Sequence, residues 1–380
     1  MNILHVCGTK RLSGLELLAF DLAQKMKQDG HLVSIAAREG YGLANLAAEN
    51  DVLSINYKGG ISRLWYPLQV RSFIKKNKID IVHFHQLRLL KRILPFLPSG
   101  VKRPAYFFTD AAPHQKVIAS RYTKHILDQV DLFMVCSAAH KQVSSEALGY
   151  SEEKITVLEN GVDTKKFQPP EDEQEKATLR KKYNIPPEIP CIALIGRIDE
   201  SKGQDTLIEA AKIMINEGRK FRIDICGELE HVGKSGLPFV QKIKEMAKDL
   251  SLEGCIYLRG FVKEIPQFLK AIDIQVVPST REPFGLVAAE AMATGLPIIV
   301  SSAGALPTIV QHEKCGLVVE HSAPAQLAKA IGRILDDSKM ARDMGRCGRA
   351  RVVEHYSLDM HLKQLYNLYE QALKKTDRHC

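Results

Sequence analysis

The stretch PSTREPFGLVAAEAMATGLP, residues 278–297, has the pattern of a buried strand end, an acidic turn and a helix that begins near Gly285. The first turn of a helix leaves backbone N–H groups without internal partners, and its end carries about half a positive charge. Such an end binds phosphate. The N–H groups that we expect to be free here are those of Phe284, Gly285 and Leu286.

Two carboxylates frame this helix end, Glu282 in the turn and Glu290 one to two turns inside the helix. A carboxylate beside a phosphate site is poorly suited to bind the phosphate itself, because like charges repel. It is better suited to bind hydroxyl groups. A molecule with hydroxyl groups on both sides of a phosphate is a nucleotide-sugar, so we expect a ligand of that class.

Short apolar runs alternate with helix-length segments over the whole chain, in two series. The first series is Ile3–Val6, Leu32–Ala36, Val52–Ile55, Ile79–His83, Ala105–Phe108, Leu132–Val135 and Ile155–Leu158, and the second is Ile192–Ile195, Phe221–Cys226, Ile256–Leu258, Ile274–Val277, Pro297–Val300 and Gly316–Val319. Strands with little polar alternation, separated by helices, predict parallel sheets covered on both faces. The fold class that we expect is therefore α/β, with two Rossmann-like, doubly wound domains.

The domain boundaries follow from the same pattern. We predict an N-terminal, acceptor-side domain over 1–165, a linker over 166–190 that flanks a short helix, and a second domain over 191–356. Prolines and a charge cluster mark the linker. Residues 357–380 form a final helix, which either packs back on the N-terminal domain or caps the second domain.

Composition limits the compartment and the class of protein. The chain has 380 residues, 45% of them hydrophobic and 26% charged, as is usual for a globular protein of two domains. We see no secretory signal and no apolar run long enough to cross a bilayer. The eight cysteines are scattered and contain no CxxC, so we expect reduced core cysteines, without a disulfide or zinc framework, and a cytoplasmic location.

The loops after the first strand of each series contain the next candidate residues. Gly14 precedes an amphipathic run and would let the backbone approach a phosphate or sugar, although a simple helix entry explains it equally well. No GxGxxG or P-loop pattern is present, which disfavours NAD and ATP.

In GRIDESKG, residues 196–203, Arg197 and Lys202 follow a buried strand and would attract a diphosphate by about 4 kcal/mol per charge pair at ~4 Å. A solvated turn with a local Arg–Glu pair is the alternative for this motif alone.

GRIDESKG and REPFGLVAAEAMATGLP together resemble the retaining GT-B glycosyltransferases of family 4, with Glu282 and Glu290 in the positions of the E-x7-E pattern. SGLELLAFDLAQKMKQDGHLVSI near the start, and VCSAAHKQV with GYSEEKITVLENGVDTKKFQP at the end of the first domain, extend the resemblance over nearly the whole chain. The resemblance implies two Rossmann-like domains that face each other across a cleft, and closure that excludes water.

The resemblance also implies residue roles. Arg197 and Lys202 would hold the donor diphosphate and stabilise the leaving group. Glu282 would bind the hydroxyl groups of the donor sugar, and Glu290 those of the ribose. The other donor-binding residues implied are Gly14 from the first domain, Gly196, the loop pairs Gly227–Glu228 and Gly260–Phe261 beside the base, and the amides of Phe284, Gly285 and Leu286.

Retention requires departure of the diphosphate from an oxocarbenium-like state, which nearby cations stabilise by preorganised electrostatics. The family implies that the leaving diphosphate itself acts as the base. The sequence contains no D-x-D, so we expect no required metal and no cofactor, with a UDP- or GDP-sugar as the donor substrate.

The acceptor side departs from the family pattern. The family uses a histidine after a first-domain strand, often as T-x-H, whereas YFFTDAAPH places Asp110 or Ala111 there. Asp110 would either position an acceptor hydroxyl or cap the following turn. His83 and His85, in IVHFHQ, end another strand, and each either reaches the cleft or is structural.

The first domain is basic. Residues 1–165 contain 22 Lys+Arg and 15 Asp+Glu, and the range 58–103 has eleven basic residues against Asp80 alone. Residues 87–97, LRLLKRILPFL, separate a basic from an apolar side at helical spacing, which indicates an interfacial helix on an anionic membrane surface. An ordinary helix packed on the sheet is the alternative.

We therefore predict a retaining glycosyltransferase that moves a sugar from a nucleotide-diphospho-sugar to a glycan or lipid-linked acceptor, in cell-envelope polysaccharide or lipopolysaccharide synthesis. It would be cytoplasmic, peripheral on the inner face of the membrane. The alternatives are a nucleotide-sugar epimerase on a similar fold and a non-catalytic nucleotide-sugar binding protein. We expect no nucleic-acid partner, because the basic residues are not interleaved with aromatic ones.

Overall fold

The computed structural model describes residues 1–8, 14–57, 62–100, 103–112, 119–229, 237–248, 252 and 254–377, which form two compact units. Unit 1 comprises Met1–Gly161 and Leu358–Cys380, and unit 2 comprises Val162–Ser357. The C-terminal helix therefore belongs to unit 1. The predicted linker, 166–190, lies within unit 2 rather than between the units.

Each unit contains one parallel sheet. In chain order the strands are β1 (Asn2–Val6), β2 (Leu32–Arg38), β3 (Leu53–Tyr57), β4 (Ile81–Phe84), β5 (Ala105–Asp110), β6 (Leu132–Val135), β7 (Ile155–Val157), β8 (Cys191–Ile195), β9 (Arg222–Cys226), β10 (Ile256–Gly260), β11 (Ile274–Val277), β12 (Ile298–Ser301) and β13 (Leu317–Val319). Unit 1 has the order β3-β2-β1-β4-β5-β6-β7, and unit 2 has the order β10-β9-β8-β11-β12-β13. Both orders reverse direction beside the first strand of the unit, as in doubly wound sheets, whose ligands bind beyond the carboxyl ends of the strands.

The helices cover the sheets. They are α1 (Gly14–Gln28), α2 (Gly42–Glu49), α3 (Ser62–Lys76), α4 (Leu87–Ile93), α5 (Arg121–Leu127), α6 (Ala138–Leu148), α7 (Glu173–Lys182), α8 (Gln204–Asn216), α9 (Leu237–Ala247), α10 (Ile265–Ala271), α11 (Leu286–Ala293), α12 (Leu306–Val310), α13 (Pro324–Asp336), α14 (Ser338–His355) and α15 (Leu358–Asp377). None of these helices, over the described ranges, is both long and apolar enough to cross a membrane.

The amphipathic segment 87–97 packs against the core of unit 1. It forms α4 and a 3-10 turn over Leu94–Phe96, and its apolar side chains are buried with those of the sheet: Leu89, Leu90, Ile93, Leu94 and Leu97. The prediction that this apolar side meets lipid is therefore wrong. Helical spacing alone cannot tell a sheet from a membrane as the apolar partner.

In unit 2 a half-buried carboxylate fixes α7 to the sheet. Asp273 accepts hydrogen bonds from Lys176 Nζ at 2.7 Å, Arg180 Nη1 at 2.7 Å and the Cys191 amide at 2.8 Å. Burial opposes ionisation of this carboxyl, but the two cations and the amide outweigh burial and lower the pKa of Asp273. The segment that looked like a linker is therefore anchored at the start of β8 and β11.

Two cysteines correct the expectation of a disulfide-free chain. Cys315, before β13, and Cys347, in α14, form a disulfide with a Cα–Cα distance of 5.0 Å. Among the described residues Cys7, Cys136, Cys191 and Cys226 are buried and form no disulfide. The spacing of 32 residues between the bonded pair carries no signal in the sequence.

Candidate functional site

The turn between β11 and α11 fits closely against neighbouring loops. The Thr280 amide donates to the Ser201 carbonyl at 2.8 Å, and the Ala305 amide donates to the Glu282 carbonyl at 3.3 Å. Gly304 has φ +55°, and a Cβ there would lie 1.9 Å from the Glu282 carbonyl oxygen. Only glycine permits this approach. The backbone of the turn is therefore held by Ser201 on one side and by Gly304 and Ala305 on the other.

Lys202 and Glu282 form an ion pair in this turn. Lys202 Nζ lies 2.6 Å from Glu282 Oε2, and their side chains are 20% and 14% exposed. Ser279 Oγ also donates to Glu282 Oε2, at 3.3 Å. The pair joins two motifs that lie 80 residues apart in the sequence, and it places a cation and a carboxylate side by side at the carboxyl end of the sheet.

Arg197 lies in the same β8–α8 loop but points more toward solvent. Its Nη2 is 3.3 Å from Asp199 Oδ2, and its side chain is 56% exposed. Gln204 Nε2 donates to the Arg197 carbonyl at 2.7 Å, which fixes the backbone of the loop while the guanidinium keeps further donors. A local ion pair of the kind expected as an alternative is present, but its partner is Asp199 and not the glutamate that the alternative named.

Helix α11 begins at Leu286, and Gly285 is its N-cap, as the sequence predicted to within a residue. Phe284 is buried and makes an edge contact with Tyr356, with ring centroids 5.7 Å apart. Its side chain is therefore a packing anchor, and the site can use only its backbone. Glu290 is half-buried on the second turn of the helix.

Three loops at the carboxyl end of the unit 2 sheet are joined by backbone hydrogen bonds, and they contain Gly196, Gly227 and Gly260. The Gly196 amide donates to the Cys226 carbonyl at 2.9 Å, and the Gly227 amide donates to the Gly260 carbonyl at 2.9 Å. A Cβ on Gly227 would lie 2.2 Å from the Gly196 carbonyl oxygen, so close packing of the loops explains this glycine. Glu228 is half-buried, and Phe261 is 65% exposed.

In unit 1, Asp110 is a buried structural carboxylate at the end of β5. Its Oδ2 accepts from Ser144 Oγ at 2.8 Å and lies 3.8 Å from His140 Nε2, and its Oδ1 accepts from the Ala112 amide at 3.2 Å. It joins β5 to α6 and caps the turn after the strand, and with 3% of its surface exposed it does not face an acceptor directly. His114, in the same motif, lies outside the described residues.

The other unit 1 candidates divide between surface and interior. Gly14 is exposed and is the first residue of α1. His83 and His85 are buried, and both nitrogens of His83 contact hydroxyl groups, those of Tyr369 and Thr109 at 2.7 Å each. His83 is therefore an interior residue here, contrary to the interpretation as a catalytic group that reaches the cleft.

The sequence did not lead us to Glu16, a buried carboxylate that lies beside the end of β1. Glu16, in the first turn of α1, is fully buried, and Gln86 Nε2 donates to its Oε1 at 3.1 Å. Cys7 Sγ lies 3.9 Å from the same oxygen, and burial raises the pKa of the Cys7 thiol, helped by the Glu16 charge. The signal was the position of Glu16 two residues after Gly14, at a helix start where a carboxylate is favoured.

Two family models match the chain. "Glycosyltransferase Family 4" matches residues 12–166, and "Glycosyl transferases group 1" matches residues 175–351. A D-inositol 3-phosphate glycosyltransferase of Corynebacterium urealyticum is 30% identical over 402 residues, covering 96% of this chain and 92% of the relative. This chain belongs to the group 1, family 4 glycosyltransferases.

Solved structures agree in fold. A glycosyltransferase of Rickettsia africae has a TM-score of 0.82 at 23% identity, covering 98% of both chains. The HepE protein of Anabaena, in complex with UDP-glucose, has a TM-score of 0.84 at 18% identity, covering 98% of this chain and all of its own. The fold is GT-B, with two parallel-sheet Rossmann-like domains, as the sequence predicted.

Proposed function

We propose that this glycosyltransferase uses a UDP- or GDP-sugar as its donor and transfers the sugar with retention of anomeric configuration. The observation that carries the proposal is the Lys202–Glu282 pair beside the N-terminus of α11. A cation and a helix end suit a diphosphate, and a carboxylate suits sugar hydroxyl groups. The UDP-glucose bound by HepE supports a nucleotide-sugar donor for this fold.

In the proposed reaction, the bond between the anomeric carbon and the diphosphate oxygen breaks, and its electron pair leaves with the diphosphate. Lys202 and Arg197 stabilise the negative charge that develops there, while Glu282 holds the sugar hydroxyl groups. The acceptor hydroxyl forms the new bond on the same face of the sugar, and its proton passes to an oxygen of the leaving diphosphate. Glu290 binds the ribose hydroxyl groups, so it contributes to binding more than to bond breaking.

We propose that transfer requires no metal and no cofactor. The cationic groups of Lys202 and Arg197 supply the charge that a metal would otherwise provide to the diphosphate. Full activity should therefore persist in EDTA. Loss of activity in EDTA that manganese restores would overturn the proposal.

Epimerisation of the donor is the competing activity, and the products distinguish it. Incubation of enzyme and donor alone, followed by chromatography, should give unchanged donor with at most slow hydrolysis. Release of nucleoside diphosphate should rise when an acceptor is added. An epimerised nucleotide-sugar formed without acceptor would instead support the alternative. The donor panel is UDP-, GDP- and ADP-sugars, screened first by thermal shift.

The acceptor proposed is a glycan or a lipid-linked glycan of the cell envelope, of lipopolysaccharide type. The basic balance of residues 1–165 supports an anionic or membrane-bound acceptor. Because a relative is named for D-inositol 3-phosphate, that compound belongs in the acceptor panel as a soluble alternative. Transfer to inositol phosphate but to no lipid-linked glycan would replace the proposed acceptor class.

We also propose that unit 1 associates peripherally with the cytoplasmic face of an anionic membrane, through a surface other than the buried side of α4. Trp65 and Leu68 lie one helical turn apart on α3 and are 61% and 44% exposed, and Phe96 is 47% exposed. Arg71, one turn further along α3, donates to the Phe96 carbonyl at 3.2 Å. These side chains combine interfacial aromatic groups with positive charge, which suits anionic lipid.

Trp65 is the only tryptophan of the chain, so its fluorescence reports directly on this surface. Vesicles with anionic lipid should shift its emission to shorter wavelength, and high salt or Arg71→Gln should reduce the shift. Emission that is the same with anionic and with neutral vesicles would exclude the membrane surface.

A further inference from the structure

Three histidines meet on one face of the unit 1 sheet. His5 in β1 is the register partner of His83 in β4, and His85 follows β4 on the same face, two residues later. All three side chains are buried, with exposures of 0%, 2% and 4%. Histidine is a residue type of intermediate burial, and three that converge on or directly after two adjacent parallel strands need a physical explanation.

The ring nitrogens of these histidines converge. One nitrogen from each residue lies within 4.8 Å of the others, and His5 Nδ1 is 2.9 Å from His85 Nε2. The rings of His83 and His85 are stacked, with centroids 4.3 Å apart. A tetrahedral ion at about 2.0–2.1 Å from each nitrogen requires nitrogen separations of roughly 3.3 Å. The cluster therefore needs a small opening between His5 and His85 and a contraction of the other nitrogen separations by at most about 1.5 Å.

The protonation state of the cluster suits a metal. Three imidazolium ions cannot share a dry interior, so the rings are neutral, and neutral imidazole is the form that binds metal ions. The hydrogen bond between His5 Nδ1 and His85 Nε2 uses one ring N–H, and a shift of that proton to the outer nitrogen of the same ring frees both inner lone pairs without a net proton release.

Hydroxyl groups around the cluster supply the outer contacts that metal sites use. His83 Nδ1 lies 2.7 Å from the Tyr369 hydroxyl and its Nε2 lies 2.7 Å from Thr109 Oγ1. If one nitrogen of His83 binds an ion, the other keeps a hydroxyl partner that fixes the ring orientation. Tyr369 belongs to α15, so the contact also joins the C-terminal helix to the cluster.

We propose that His5, His83 and His85 form a binding site for one zinc-type transition-metal ion in the interior of unit 1. The set of three imidazoles suits zinc, copper, cobalt or nickel rather than magnesium or calcium. A water molecule is the fourth ligand, and its deprotonation offsets part of the buried charge, because zinc lowers the pKa of bound water to about 7. The site stabilises the packing of α15 and takes no part in the proposed sugar transfer, so it is independent of the donor site in unit 2.

Metal content is the first test. Untagged protein is unfolded in denaturant with a chelator, refolded with excess Zn²⁺ or Co²⁺ so that the buried site can fill, and passed through gel filtration before elemental analysis. We expect about one ion per chain, a visible Co²⁺ spectrum of tetrahedral type and a higher unfolding midpoint than for metal-free protein. Refolding with Mg²⁺ should leave no bound ion.

Variants assign the site. His85→Gln should lower Zn²⁺ affinity by at least tenfold and remove the Co²⁺ spectrum, whereas His125→Gln, at an exposed histidine of the same unit, should change neither. Wild-type protein that refolds without bound metal would overturn the proposal, and so would metal binding that survives His85→Gln. If His85→Gln fails to fold, the metal content of the wild-type protein still decides whether the proposal holds. Sugar-transfer activity is not the readout, so the proposed function and this site can fail separately.

Discussion

Replacement of Lys202 by methionine is the most informative change to the candidate donor site. Methionine keeps most of the length and apolar volume of lysine but removes the ammonium group. In the structure that group lies 2.6 Å from Glu282 Oε2, and both side chains are about four-fifths buried or more. The substitution therefore removes one positive charge from the site and leaves the backbone contacts of the turn unchanged.

The expected cost differs between stability and catalysis. The ion pair is partly exposed, so its loss should change the free energy of unfolding by about 1 kcal/mol or less, after allowance for solvent screening. In the proposed reaction Lys202 faces charge that develops on the leaving diphosphate. Removal of one preorganised donor of this kind costs about 3 to 4 kcal/mol, which is a decrease in kcat of roughly 10² to 10³.

The assay follows nucleoside diphosphate release with a saturating donor and acceptor, beside thermal unfolding of each variant. Lys242→Met is the matched control, because Lys242 forms a 2.8 Å ion pair with Asp205 on the surface of the same unit and is not among the candidate site residues. We expect the control to retain kcat within about twofold. If Lys202→Met keeps kcat within threefold of the wild type, Lys202 does not stabilise the leaving group and the reasoning fails.

Three further predictions concern unit 2. Glu282→Ala should chiefly lower kcat, whereas Glu290→Ala should chiefly weaken binding of the free nucleoside diphosphate; calorimetric titration that shows an equal loss of affinity in both would remove this division of roles. Gly304→Ala should destabilise unit 2 by about 2 to 4 kcal/mol, because the new Cβ combines a left-handed backbone with a clash against the Glu282 carbonyl; denaturant unfolding within 0.5 kcal/mol of the wild type would contradict the geometry. Asp273→Asn should cost about 2 to 3 kcal/mol, because Lys176 and Arg180 lose their shared carboxylate. Since the folded-state pKa of Asp273 is lowered, the wild-type carboxylate contributes stability above the unfolded-state value of about 4 and loses that contribution as the pH falls through the folded-state pKa. The asparagine variant should lack that part of the acid dependence, and an unchanged acid slope would count against the ion pair.

The sequence predicted the fold well because local signals and long-range topology agree here. Every strand predicted from an apolar run is present, and α11 begins at Leu286, beside the glycine where the helix was expected. GRIDESKG and the stretch 278–297 were linked by the resemblance, and the structure brings Lys202 and Glu282 into contact. Parallel α/β sheets make such contacts predictable, because their carboxyl ends lie at one edge.

The features that the sequence did not reveal depend on tertiary contacts. The apolar side of α4 has the same periodicity as an interfacial membrane helix. Only the tertiary structure shows that this side packs on the sheet. The disulfide between Cys315 and Cys347 depends on the packing of α14, which no spacing rule contains. Asp110 had the right residue type and position for an acceptor contact, but its oxygens are used by Ser144 and the Ala112 amide.

The histidines show the same limit in another form. HFH at residues 83–85 was visible as a polar pair at a strand end, yet the contribution of His5 could not be seen without the β1–β4 register. In a parallel sheet, residues in register on neighbouring strands face the same side. A pairing prediction for β1 and β4 would have placed all three histidines together.

Sugar transfer with a defined stereochemical outcome is the central claim, and NMR of a ¹³C-labelled donor tests it most directly. Enzyme, labelled UDP- or GDP-sugar and acceptor are incubated together, and the anomeric signal is followed with nucleoside diphosphate release. We expect the label to move from an α-linked donor to an α-linked product, with one nucleoside diphosphate formed per sugar transferred. A product of inverted configuration, or a donor that is epimerised without release of diphosphate, would contradict the account.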